Sequence, residues 1–315
     1  MAVTLANAAI LSQNDLQRGV VETFIESSPI LDRIPLLGIL GNAYAYNSEA
    51  TLPGVEFRAV NAAYTESTGT VNQTTESLVI LGGDADVDRF ISQTRGNLND
   101  QRQVQTSLKS KSLALKWQDG FFNGDTAVDA NSFDGLKKRL TGTQAIAAGI
   151  NGLPVVGNGT TDIDAFLDRL DALLAAVPGG ADALYMNAGI LSKIRSAARR
   201  KNTMSISERD QFGRLVDFYA GIPMFDAGNK ADGSAIIPQA ETQGTAAGTT
   251  ASIYAVKFSP SEAANGVVAL DNGGISVRDL GEQDVKPVFR TRIEWFTGLA
   301  VFGKGAARLT GVLNA

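Results

Sequence analysis

Residues 97–123 read as one long helix that is apolar on two sides, and such a helix has few places to go. Val104, Leu108, Leu115 and Phe122 recur at helical spacing on one face, and Leu113, Trp117 and Phe121 form a second stripe. Lys109, Lys111 and Lys116 fall elsewhere. At 1.5 Å per residue, about 26 residues make a rod of roughly 39 Å. A rod with two apolar stripes packs between layers rather than on a surface. The chain is therefore expected to be a layered α+β protein organised around this helix.

The segments on either side supply the layers. Ser12 and Asn14 are N-cap types, and Leu16, Val20, Phe24 and Ile25 follow with helical spacing. A helix over about 14–27 is expected to end at Ser28-Pro29, because a residue before proline avoids the α region. Its apolar stripe needs a partner, either its own core or a neighbouring chain. In 42–91, Tyr44, Tyr46, Val55, Phe57, Val60 and Tyr64 occur in short alternating runs around the Pro53-Gly54 turn signal. Ala63–Thr75 is polar, and Leu78, Val79, Ile80, Val87 and Phe90 resume the apolar pattern. This predicts two strands flanking a long protruding loop, a kind of loop that usually has a function. Here that function is contact with another chain.

After the long helix, Gly124–Gly159 is punctuated by glycine, with a short amphipathic piece at Phe133, Leu136 and Leu140. Thr160 or Thr161 is expected to cap a helix carrying Ile163, Phe166, Leu167, Leu170, Leu173, Leu174 and Val177 on one face, closed by Pro178-Gly179-Gly180. A buried strand at Ala183–Met186 and a helix at Ala188–Arg200, with Ile190, Leu191, Ile194 and Ala198 facing inwards, open a second lobe. Strands near Val216–Tyr219, Ile222–Phe225 and Ile253–Phe258 continue it. Gln239–Thr250 reads as an exposed loop. From Gly274 to Leu309 the alternation predicts long antiparallel strands returning to the first lobe. No repeat of solenoid length occurs.

Chemistry is constrained by what is missing. The chain has no histidine and no cysteine. That excludes a Ser-His-Asp triad, a Cys-His dyad, disulfides and His- or Cys-based metal sites. No catalytic, cofactor or metal residues are assigned. A carboxylate enzyme using Asp168 with Asp171, or Asp84 with Asp86, is the weakest reading, since both pairs have ordinary structural explanations. Asp84, Asp86 and Asp88 share one face of a strand. They do not form a calcium loop, because Arg89 and Arg95 stand where that loop needs Gly and Glu. They are expected to meet cations on another strand or subunit, with a cation site as the alternative. Net charge is −5, and no basic tail suggests phosphate binding. The nearest basic group, Arg195, Arg199, Arg200 and Lys201, suits a helix C-terminus. Gly157-Asn158-Gly159 and Gly228–Gly233 lack the phosphate-loop pattern and read as turns. The Asn72 and Asn158 sequons carry no expectation, and Trp117 and Trp295 read as core. The N-terminus lacks a basic signal region, and no apolar run reaches the ~18 residues of a membrane span.

In this order of parts the chain resembles tailed-bacteriophage major capsid proteins of the HK-ninety-seven-like fold, a fold shared with encapsulin shells. SSPILDRIPL (Ser27–Leu36), the stretch Asn47–Ile91, QTRGNLNDQ (Gln93–Gln101) and FFNGD (Phe121–Asp125) carry the resemblance, with FDGLKKRL (Phe133–Leu140), ALYMN (Ala183–Asn187) and GIPMFDAG (Gly221–Gly228). The resemblance implies an N-terminal arm at 1–42 and an E-loop with flanking strands at 43–90. It implies a P-domain at 91–159 with the spine helix at 97–123, an A-domain at 160–270, and C-terminal strands at 271–315 returning to the P-domain. It implies no cofactor and no enzyme activity. The implied role is a virion subunit made in the bacterial cytoplasm, self-assembling into hexamers and pentamers of an icosahedral or prolate head. That head would enclose double-stranded DNA without sequence-specific binding. Scaffolding, portal and decoration proteins are the implied partners, and no membrane is. Some relatives cross-link covalently through an E-loop lysine. The first lysine here is Lys109, so a non-covalent shell is expected. The fold is expected to begin near Asp15, which leaves either a processed chain, disfavoured by the initiator-like Met1, or scaffolding by a separate protein. An encapsulin-type shell is the alternative.

Overall fold

The computed structural model describes residues 28–95, 101–201, 206–209 and 215–315. The expected helix at 14–27 and residues 97–100 lie outside them. In chain order the strands and helices begin with β1 (Leu36–Gly38), β2 (Ala43–Thr51), β3 (Thr70–Ser77) and β4 (Val79–Asp88). Helices α1 (Arg89–Arg95), α2 (Gln101–Asn123) and α3 (Leu136–Arg139) follow, then β5 (Ala145–Ala147), β6 (Leu153–Pro154) and α4 (Thr160–Ala175). The second half contains β7 (Ala183–Met186), α5 (Ala188–Lys201), β8 (Ile206–Arg209), β9 (Leu215–Tyr219), β10 (Ile222–Asp226), β11 (Glu241–Gln243) and β12 (Ala246–Val256). It ends with β13 (Gly266–Glu282), β14 (Val288–Phe302) and β15 (Ala306–Leu313).

Among the described residues the strands form three sheets. A four-stranded sheet runs β1-β13-β14-β4, and a larger one runs β5-β15-β12-β7-β10-β9-β8 with β6 and β11 at its side. The third is the two-stranded ribbon β2-β3. Helix α2 lies against β4 and β14. The alternate residues Thr291, Ile293, Trp295, Thr297 and Leu299 of β14 are buried on one face. Trp117 of α2 packs on Trp295 with ring centroids 5.7 Å apart, and its Nε1 donates to Thr297 Oγ1 at 3.0 Å. Both tryptophans are core, as their surroundings in sequence suggest.

Several expectations need correction. The described part of the long helix runs from Gln101 to Asn123, and Phe90 belongs to helix α1 rather than to a strand. The cause is local: Asp88 Oδ1 accepts the Phe90 backbone N–H at 2.7 Å and starts α1. Leu113, Ala114, Trp117, Phe121 and Phe122 bury the second half of α2, but Val104 and Leu108 remain exposed at 42% and 56%. Neither Thr160 nor Thr161 caps α4. Gly159 holds the N-cap position at φ 110°, and Asp162 turns back to accept the Asn158 N–H at 2.7 Å. Ala197, rather than Ala198, completes the buried stripe of α5. Most of Gln239–Thr250 is a hairpin of β11 with the start of β12, turning at Gly244. Finally, β15 does not return to the four-stranded sheet. The tight Gly303–Gly305 turn redirects it between β5 and β12. A Cβ at Gly305 would collide with the Gly266 backbone.

Candidate assembly surfaces

The β2-β3 ribbon is the feature that most sets this chain apart from a self-contained globule. Its register runs from Ala43↔Ser77 to Thr51↔Thr70. Nine residues of β2 at about 3.4 Å each carry it roughly 30 Å from its base. The loop beyond is closed by its own polar contacts: Ser67 Oγ donates to the Gly54 carbonyl at 2.9 Å, and the Thr65 N–H donates to Glu56 Oε1 at 2.6 Å. Its apolar side chains have no such closure. Val55, Phe57 and Val60 are 98%, 107% and 89% exposed. Large apolar groups grouped on a projecting loop mark an interaction site.

The base of the ribbon is anchored. Tyr46 is buried, meets Phe302 edge-to-face at 5.0 Å, and donates to the Val301 carbonyl at 3.1 Å. Tyr44 bonds Glu262, which with burial pushes its phenol up to about 12. On the β3 side, Glu76 receives a bidentate grip from Arg139. Arg139 belongs to the KKR turn of α3, whose cations diverge. Lys137 pairs with Glu241 at 3.2 Å, Lys138 with Asp125 and Asp134 at 2.7 and 2.9 Å, and Arg139 with Glu76. No sequence signal links Glu76 to Arg139. Each looks like an ordinary surface charge until the chain is folded.

On the sheet, β4 and β14 place Asp84 opposite Arg292 and Asp86 opposite Arg290. Arg292 grips Asp84 at 2.7 and 2.9 Å, and Arg290 grips Asp86 at 2.7 Å through two nitrogens. The hydrogen bond from Arg292 holds the Asp84 carboxyl below its ordinary range, and Arg290 does the same for Asp86. Asp88 serves instead as the helix start described above. The acidic face is thus an inter-strand ion lattice. Among the described residues no group of His, Cys, Asp and Glu could hold a metal ion.

The remaining candidates are dispersed. Asp171 accepts the Tyr219 hydroxyl at 2.7 Å, while Asp168 is simply exposed. Arg195 pairs with Asp217 and Lys201 with Asp164, while Arg199 and Arg200 face solvent. The glycine segments are turns, with φ of 43° at Gly157 and 75° at Gly228. No helix among the described residues is long and apolar enough to cross a membrane.

Residues 12–162, just under half of the chain, match the family model described as major capsid protein GP7. No curated protein matches the chain. Among solved structures it is similar to the holo-SrpI encapsulin complex of Synechococcus elongatus, at 17% identity and a TM-score of 0.67, covering 90% of this chain and 87% of that one. It is similar to the capsid of a native GTA particle at 15% identity and a TM-score of 0.63, covering 92% and 89%. A structure from Mycobacterium phage Bobi matches at 14% identity and a TM-score of 0.60, covering 92% and 89%. At these identities the likeness is one of fold. That fold is the HK-ninety-seven-like architecture of capsid and encapsulin shells. Within that class, residues 12–162 are similar to a major capsid protein.

Proposed function

We propose that this chain builds the head of a tailed phage as non-covalent hexamers and pentamers, without chemistry of its own. The single observation that carries this is the projecting ribbon: its apolar tip is exposed, and a roughly 30 Å ribbon keeps it away from its own base. A projecting patch that meets a different patch on the next copy is a heterologous contact, and such contacts form rings when the rotation between copies closes. In this reading 1–42 is the N-terminal arm, 43–90 the E-loop, 91–159 the P-domain with its spine helix and 160–270 the A-domain. The strands at 271–315 divide: β13 and β14 complete the P-domain, and β15 serves the A-domain. The head encloses double-stranded DNA, and net charge −5 suits a wall that does not grip it. Assembly takes place in the bacterial cytoplasm, with scaffolding, portal and decoration proteins as separate partners. The family match supports the phage reading over the encapsulin one.

The test is expression of the chain alone and with its neighbouring morphogenesis genes, followed by electron microscopy and boiling in SDS. Closed shells that dissolve to a monomer band are expected. An SDS-resistant ladder would overturn the non-covalent assignment. Failure to form rings or shells under every co-expression would overturn the capsid role.

A further inference from the structure

Arg139 stands between the rigid body and the ribbon. Its Nε donates to the Asp134 carbonyl at 2.6 Å, and its two terminal nitrogens hold both oxygens of Glu76, one of them at 2.7 Å. The pair is largely shielded, at 16% and 13% exposure. The turn that carries it is itself fixed. Leu136 and Leu140 are buried on either side, the Gly135 N–H donates to the Gly124 carbonyl at 2.8 Å, and a Cβ at Gly124 would collide with the Phe133 carbonyl oxygen. An unbroken set of short contacts therefore runs from the C-terminal end of α2 through α3 to β3. The ribbon's other anchors, Tyr44 and Tyr46, act through β2 and tie it to a small cluster around Phe302, Val268 and Ala300.

A two-stranded ribbon has little stiffness of its own at the point where it leaves a body. A swing of about 10° at the base would move a tip roughly 30 Å away by about 5 Å, enough to lose register with a docking surface. We infer that the Glu76–Arg139 fork is a latch that sets the direction in which the ribbon leaves the body, making Arg139 a positioning residue for contacts between copies. The latch stands on intramolecular geometry, and only its effect on shells rests on the proposed capsid role.

The absence of native cysteine allows a direct test. Cysteines at Val60→Cys on the tip and Val128→Cys on the body take spin labels. The labelled chain is diluted with unlabelled chain so that only the distance within one molecule is read. The parent should give one narrow distance. R139A should lose it to a broad distribution while retaining a cooperative melt, and the exchanged pair E76R/R139E should restore it. A narrow, unshifted distance in R139A would overturn the latch. If R139A does not fold, R139K replaces it: a single charge cannot hold both oxygens, so broadening is still expected, and a parent-like distance would overturn the proposal. Particles are then imaged. Uneven or unclosed shells from R139A and uniform ones from the exchanged pair extend the latch to assembly. Uniform shells despite a broadened distance would confine it to the single molecule and count against the ribbon as the contact that closes rings.

Discussion

Trp117 and Trp295 are buried against each other and each spends its indole N–H on a partner in the same chain. At the other end of the molecule Phe57 and Val55 are fully exposed. The two regions use the same kinds of side chain, but the body solves its burial internally and the ribbon postpones it. On the proposed reading, stability and assembly are separately encoded here. Substitutions in one region should leave the other quantity nearly untouched.

The largest effect should come from breaking the body. Trp295→Ala removes a fully buried indole and strips Asp271 of its 2.7 Å donor; a loss of about 3–5 kcal/mol is expected in denaturant melts. Acid should act next. Asp84 and Asp86 have folded pKa values below their unfolded ones. Their contribution is therefore complete above the unfolded carboxylate value of about 4 and is lost as pH falls through the lower folded values. Melting temperature followed downward from about pH 5 should fall less steeply in D84N/D86N than in the parent; parallel curves would show that the lattice is not the acid-sensitive element. At the ribbon base, Tyr46→Phe removes one hydrogen bond to the Val301 carbonyl and keeps the ring contact with Phe302, so about 1 kcal/mol is expected. The smallest effect sharpens the comparison most. Phe57→Ser should leave monomer stability within about 0.5 kcal/mol, yet reduce or abolish shells in the same preparation.

What was legible in the chain was what repeats locally. The alternation of β14 marked its buried face, Ala183–Met186 announced a buried strand, and the evenly spaced aspartates of β4 pointed to cations on another strand or subunit. Apolar spacing, however, states that a residue can be buried and not against what. Val104 and Leu108 share the helical pattern of α2 but stay exposed within a single chain. Partners far apart in sequence were not legible at all. Glu76 and Arg139 are 63 residues apart, and nothing near either one distinguishes it from a solvated charge. The course of β15 was also hidden, because its alternation fits either sheet and a three-residue glycine turn decides between them.

The position of β15 has a consequence for timing. It lies inside the larger sheet, between β5 and β12, and also pairs with β6. In the smaller sheet β1 waits for β13, more than two hundred residues downstream. The smaller sheet lacks its last strand until residue 302 has emerged, and the larger one closes only when residues 306–313 have emerged. Pairing over such separations is slow. A chain not yet extended to residue 313 therefore lacks the closed larger sheet.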